Sequence, residues 1–236
     1  LGQFIYGIEH QVYDGPWDSV NEDIGKTNVW IKQQWSSGDD DASLTFMAYD
    51  NSWNSADQIP ERAVNRGLIS ALGSIDTTVG GNSSRYSLSA NWTRAAESSE
   101  LRVSAYGIAY EMELWSNFSY FIEPEGDQFK QVDERRIYGG EVAWESFGQL
   151  GDLEMSNTFG SQLRVDDIDR VGLQSTRRRQ FLRDIRLDSV QQWSASLFWQ
   201  NELRWTERLR SVVGLRHDYY DFDVTALAAG NTNTLG

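Results

Sequence analysis

The stretch Gln192-Trp-Ser-Ala-Ser-Leu-Phe-Trp-Gln-Asn-Glu-Leu-Arg204 decides the fold class. Trp193, Ala195, Leu197, Trp199 and Leu203 fall on one face of an extended chain. Ser194, Ser196, Gln200, Glu202 and Arg204 fall on the other, with Phe198 the single apolar residue among them. Side chains alternate across a strand with period two, so this stretch is a strand with one apolar and one polar face. The pattern recurs in Arg85–Thr93, where Tyr86, Leu88, Ala90 and Trp92 oppose Arg85, Ser87, Ser89, Asn91 and Thr93. Leu44, Phe46 and Ala48 repeat it, as do Tyr138, Val142 and Trp144, then Leu153, Met155 and Phe159. Phe4, Tyr6, Ile8 and Val12 form a further apolar row.

Read along the whole chain, the alternation predicts about nine strands, near 2–13, 26–36, 42–53, 84–94, 100–117, 134–146, 152–164, 190–204 and 209–224. The connections alternate in length. Short turns are expected at Ser36–Asp41, Ala95–Ser99, Gly148–Gly151 and Thr206–Glu207. Long loops are expected at Asp14–Gly25, Asn54–Ser83, Phe118–Asp133 and Val165–Ser189, with a further one after Thr225. Segments of about 10 alternating residues joined by short turns on one side and long loops on the other are the pattern of a bacterial outer-membrane barrel. The expected fold is therefore an all-β, antiparallel transmembrane β-barrel.

Bulk composition agrees. Aromatic residues make up 13% of 236 residues, with ten each of Trp, Tyr and Phe, while proline occurs three times. That balance favours strands over disorder. Thirty-five acidic against 21 basic residues leave a net charge of −14, which excludes the basic field of a nucleic-acid binder. The absence of cysteine excludes disulfide scaffolds and thiolate metal sites. No apolar run approaches the roughly 18 residues of a spanning helix. The low mean hydropathy does not argue against a membrane strand, which offers lipid only every second side chain.

Trp and Tyr are expected at strand ends, as Tyr13, Trp17, Trp35, Trp53, Trp115, Tyr120, Trp193, Trp205, Tyr219 and Tyr220. Such amphipathic rings would form girdles at the two membrane interfaces. Leu1-Gly-Gln-Phe-Ile-Tyr6 reads like the middle of a strand, and Asn231-Thr-Asn-Thr-Leu-Gly236 like an open loop. Both ends read as cuts. A bacterial barrel must close and has an even number of strands, so about nine strands are expected to be an open arc with two unpaired edges.

Particular stretches resemble a known family. Asn51-Ser-Trp-Asn-Ser-Ala-Asp-Gln-Ile-Pro60, and Gly73-Ser-Ile-Asp-Thr-Thr-Val-Gly-Gly81 leading into Ser84-Arg-Tyr-Ser-Leu-Ser89, resemble strand-to-loop segments of TonB-dependent outer-membrane receptors. Asn201-Glu-Leu-Arg-Trp-Thr-Glu-Arg-Leu-Arg210 and Val213-Gly-Leu-Arg-His-Asp-Tyr-Tyr220 are similar to a barrel hairpin of that family, and Leu114-Trp-Ser-Asn-Phe-Ser-Tyr120 to an extracellular strand end. The resemblance implies a partial receptor barrel over residues 1–236, the middle third of roughly 22 strands, with the plug domain and the TonB-contacting segment outside the chain. It implies a receptor and active transporter in the outer membrane of a Gram-negative bacterium. Its partners would be outer-membrane lipid, a TonB-type energy-coupling complex reached through the plug, and a small ligand such as an iron chelate, most readily a ferric siderophore. A passive porin-like channel is the alternative on the same architecture. An outer-membrane hydrolase and a soluble all-β binding protein are more distant ones.

No residue pattern advertises catalysis. His10 and His217 lie far apart, without the convergent partners of a triad or zinc site. Asp39-Asp-Asp41 stands in a short turn and reads as solvated rather than as a calcium loop. Glu61–Leu68 is expected to form a helical turn inside the second long loop. The loop Val165–Ser189 carries Arg177, Arg178, Arg179, Arg183 and Arg186 among Asp166, Asp167, Asp169, Asp184 and Asp188. Arg177, Arg178, Arg179 and Arg183 are the candidate ligand-binding residues, because guanidinium groups suit an anionic ligand. Inward-facing Arg85, Asn91, Glu141, Glu145, Glu154, Gln200, Glu202, Arg204, Arg210 and Arg216 suit a plug or a channel equally well.

Overall fold

A computed structural model describes residues 2–231. Among them, nine strands form one antiparallel sheet in sequence order. They are β1 (Gly2–Tyr13), β2 (Ile24–Ser37), β3 (Asp40–Asn54), β4 (Gly80–Ala96), β5 (Ser99–Ser116), β6 (Phe129–Leu150), β7 (Leu153–Arg177), β8 (Gln180–Thr206) and β9 (Leu209–Ala226). The one helical turn among the described residues is α1 (Glu61–Asn65), inside the expected Glu61–Leu68. The expected all-β architecture and strand number are met. Leu1 and residues 232–236 lie outside the described residues, so the expected loop after Thr225 is described only as far as Asn231.

The register carries the sequence alternation across the sheet, because residues paired between strands share a face. Tyr6, Ile31, Phe46, Leu88, Gly107, Tyr138, Val165 and Trp193 form one continuous cross-strand row. One residue along runs Ile5, Lys32, Thr45, Ser89, Tyr106, Gly139, Arg164, Ser194 and Tyr220. The first face is apolar and bare: Ile8 is 71% exposed and Leu197 66%. A contiguous apolar face of this extent requires an apolar surrounding. The second face is polar, and all ten expected inward residues lie on it.

Phe198 sits on the polar face for a local reason. It pairs with Gly160 and lies over it, so that a Cβ at Gly160 would overlap the ring. Arg216 covers its other side, 6.0 Å from the ring centroid. The apolar exception is thus an aromatic ring filling the gap over a glycine and capped by a cation.

Turns at Gly38–Asp39, Glu97–Ser98, Gly151–Asp152 and Glu207–Arg208 close the hairpins at one end. Residues 14–23, 55–79 and 117–128 connect strands at the other. Within the acidic turn, Asp40 accepts from Trp92 Nε1 at 3.1 Å and Asp41 accepts from Ser36.

The expected loop Val165–Ser189 is a correction: β7 and β8 continue through it as a paired hairpin and turn at Arg178–Arg179. At about 3.4 Å per residue, the 25 residues of β7 extend on the order of 80 Å, where about 10 cross a bilayer. In this outer part the two faces no longer divide into apolar and polar, so hydrophobic alternation stops while backbone pairing goes on. β6 reaches back to Phe129 for the same reason, although its alternation begins near Tyr138. Register shifts between Ile168 and Val171, and again after Leu173 and Ser175, bend this outer part of the hairpin.

The aromatic girdle is also corrected in part. Trp35, Trp193 and Tyr219 stand exposed on the apolar face. Tyr220 and Trp53 instead share the polar face. Trp115 and Tyr120 are buried where strand ends meet loops.

Candidate functional site

The three long connections and the β7–β8 tip gather at one end of the sheet into a polar cap around Asp76 and Gln128. Asp76 opens an Asx-type turn, accepting from Thr78 N at 3.0 Å and Thr78 Oγ1 at 2.6 Å. It also accepts from Asn117 Nδ2 and from Gln128 Nε2, both at 2.9 Å. Gln128 is 2% exposed and fully used. Its amide donates to Asp76 and Thr78 Oγ1, and its carbonyl accepts from Thr176 Oγ1 at 2.9 Å and Arg179 N at 2.7 Å. One side chain thereby joins residues 55–79, 117–128 and the β7–β8 tip. Asp18 N donates to Leu72 O and Ser74 N to Ser19 Oγ, which ties in residues 14–23.

Burial and hydrogen bonding set the charges here. Burial alone would push Asp76 up, but the donors from Asn117, Thr78 and Gln128 outweigh it and hold the carboxyl below its ordinary 3.8. Burial pushes Asp57 above 3.8, helped by Asp76 and opposed by the Asn117 N–H it accepts at 2.6 Å. The Tyr120 phenol is pushed up to about 12 by burial and by the Asp57 and Asp76 carboxylates, and it donates to Gln58 O at 2.7 Å.

The four candidate arginines occupy different positions. Arg179 is held: Nε donates to Thr78 O at 2.8 Å, and Nη2 to Asn54 Oδ1 at 2.8 Å and Val79 O at 3.2 Å. Its guanidinium lies 5.0 Å from the centroid of the buried Trp115 ring, which Lys130 also approaches at 5.3 Å. Gly80 makes room for this contact, since at φ 134° a Cβ there would run into the Trp53 carbonyl and the Arg179 guanidinium. Arg177 and Arg178 are exposed and line a cleft with Asp76, Thr77, Tyr120 and Asp127. Arg183 lines an adjoining cleft with Ile122, Glu123, Phe129 and Ile185. The structure therefore brings Arg177 and Arg178 together and sets Arg183 apart from them.

The polar face of the sheet carries a second arrangement. Arg164 with Asp166, Arg186 with Asp188, and Arg216 with Asp218 are ion pairs two residues apart on one strand, at 2.7, 2.6 and 2.8 Å. Asp133 with Arg135 and Glu100 with Arg102 repeat it, Arg102 also reaching Glu145 at 3.1 Å. Period two puts both members on one face. Arg216 further donates to Gln162 Oε1 at 2.8 Å, and Gln162 donates to Glu141.

The family described as TonB dependent receptor-like, beta-barrel, matches residues 15–235. The chain belongs to that family. Two solved structures share the architecture of this receptor-like barrel chain. One is the ferric citrate transporter FecA in its unliganded form, 7% identical with a TM-score of 0.77 over 95% of this chain and 33% of its own. The other is the ferric-catecholate import receptor Fiu from E. coli K12 in its closed form, 11% identical with a TM-score of 0.69 over 95% of this chain and 38% of its own. At these identities the likeness is one of fold, and the receptor-like chain spans about a third of each neighbour. No curated protein matches it in sequence.

Sequence reading missed the node of this receptor-like barrel's cap. Asp76-Thr-Thr78 carried a signal, since Asp followed two residues later by Thr is an Asx-turn pattern. Gln128, Asn54 and Asn117 carried none. The bonds that bring them to Asp76, Gln128 and Arg179 span between 41 and 125 residues, from the Asn117–Asp76 bond to the Arg179–Asn54 bond.

Proposed function

We propose that this chain is part of an outer-membrane receptor of a Gram-negative bacterium that captures a scarce nutrient, a ferric siderophore, at its loop cap. What carries this reading is the family match across residues 15–235, on a sheet with one bare apolar face and one polar face. The apolar face meets lipid. The polar face lines a lumen filled by a plug domain, through which a TonB-type complex supplies energy for import. Arg177, Arg178, Arg179 and Arg183 meet the anionic groups of the iron chelate, for which fork-shaped donors are suited. Specific recognition and release, not bond chemistry, are the work of such a site.

Uptake of a radioactive ferric siderophore tests this reading in cells carrying the full-length gene or its deletion. The receptor reading expects uptake that depends on the gene and stops when the inner membrane is de-energised. Uptake indifferent to de-energisation would favour a passive channel. Replacing Arg177, Arg178 and Arg183 with Ala is expected to weaken ligand binding at least tenfold, or about 1.4 kcal/mol. Unchanged affinity would remove these residues from the site.

A further inference from the structure

We infer that Arg179 is an anion-responsive latch: a multiply charged anion entering the cleft beside Arg177 and Arg178 draws its guanidinium off the neutral acceptors that hold it, and so loosens the loop cap. The inference rests on the cap being the ligand-binding end, and it names the response of that site.

The docking chemistry of Arg179 sets it apart. Its acceptors are the Thr78 and Val79 carbonyls and the Asn54 amide oxygen, all neutral. Arg102, Arg135, Arg164, Arg186 and Arg216 each hold a carboxylate on their own strand. Among the described residues no carboxylate lies within ion-pair distance of Arg179. Hydrogen bonds to a charged acceptor are roughly twice as strong as neutral ones. An anion within reach therefore outcompetes the carbonyls for Arg179, where it would gain little from an arginine already paired.

The backbone is set to move in the same direction. Arg178 and Arg179 form the two-residue hairpin turn with φ 51° and 63°, the left-handed region, with no glycine at either position. A residue other than glycine is strained there, and that conformation persists only while its surroundings enforce it. Those surroundings are the Arg177–Gln180 pairing that closes the hairpin and the Arg179 contacts, including Arg179 N on Gln128. Gln128 in turn holds Asp76 and Thr78. Once Arg179 undocks, the turn relaxes and Gln128 loses the Arg179 N–H while keeping Thr176, so the grip on the tip weakens with β7 and β8 still paired below it.

The experiment uses the full-length protein reconstituted in lipid, with pyrophosphate as the probe and chloride at matched ionic strength as the control. Hydrogen exchange is followed at Ser55, Thr78, Asn117 and Arg179, whose amides donate within the cap. Saturating pyrophosphate is expected to speed exchange there about tenfold and chloride to leave it unchanged. Arg179→Ala is expected to exchange fast from the start and to ignore pyrophosphate. Arg179→Lys, which keeps the charge but not the fork, is expected to fall between. The latch is overturned if bound pyrophosphate leaves the native cap protected, if Arg179→Ala is as protected as the native protein, or if Arg179→Ala still responds. Loss of siderophore uptake with a normal exchange response would instead count against the nutrient assignment alone.

Discussion

At the residue scale, single side chains do work that their types do not announce. Asp76 is a loop residue among many acids, yet four donors converge on it. Its carboxyl in the folded cap lies below the unfolded value, so its contribution is complete above about pH 4 and disappears as pH falls through the folded value. Cap protection by hydrogen exchange is thus expected to be level from about pH 7 to pH 5 and to fall steeply only below about pH 4. Asp57 has the opposite sign. Its raised value means that its charge opposes the folded cap at neutral pH, and this opposition fades as pH falls through the folded value. Asp57→Asn keeps an acceptor for Asn117 N–H and is expected to leave the cap at least as protected at pH 7 as the native protein. Asp76→Asn is expected to lose protection. Gly160 shows the same dependence on context inside the sheet. Gly160→Ala is expected to cost about 1–3 kcal/mol in equilibrium unfolding, because the new Cβ meets the Phe198 ring, and Phe198→Ala is expected to relieve that cost.

At the element scale, each strand has an apolar face and a polar face that a one-residue shift would exchange. Leu88 and Ser87 are adjacent on β4 and face opposite ways. Leu88→Arg is expected to lower folding stability in lipid by about 2–4 kcal/mol, and Ser87→Arg by much less, as urea titration of the reconstituted protein would register. Equal effects would remove the lipid-facing assignment. In the β7–β8 hairpin, Arg178→Gly relieves left-handed strain without touching the Arg179 contacts. It is expected to strengthen the tip by about 1 kcal/mol, seen as slower exchange of the Arg179 amide. Of the Arg-x-Asp ion pairs at 164–166, 186–188 and 216–218, only Arg216–Asp218 lay inside a strand expected from the sequence, because the other two reach into the stretch that read as a loop. Once strands are assumed, period two puts both charges on one face.

At the scale of the whole molecule, the sheet is an arc. Among the described residues β1 and β9 are each paired on one side only. The apolar face runs from Phe4 on β1 to Leu215 on β9, and the cap gathers at the end opposite the tight turns. Tryptophan fluorescence separates these regions. Quenching by brominated lipid chains is expected to be strong for Trp92, Trp144 and Trp199, which lie on the apolar face, and weak for Trp17 and Trp115 in the cap. Single-tryptophan variants of the full-length protein would measure this, and a Trp115 quenched like Trp144 would contradict the division.

The sequence by itself determined the strand faces, the strand count, the four tight turns at one end, three of the long connections at the other and the helical turn near Glu61. These follow from local rules: a two-residue period, turn chemistry and the spacing of apolar groups. It did not determine how far the strands run. Outside an apolar layer the hydrophobic pattern lapses while backbone hydrogen bonding continues, so Val165–Ser189 read as a loop and folds as a hairpin. Nor did it distinguish Arg179 from Arg177 and Arg178, three identical side chains in a row. Only the tertiary structure decided that one is docked on Asn54 and Trp115 while its two neighbours line a cleft, because the docking groups come from strands far away in the chain.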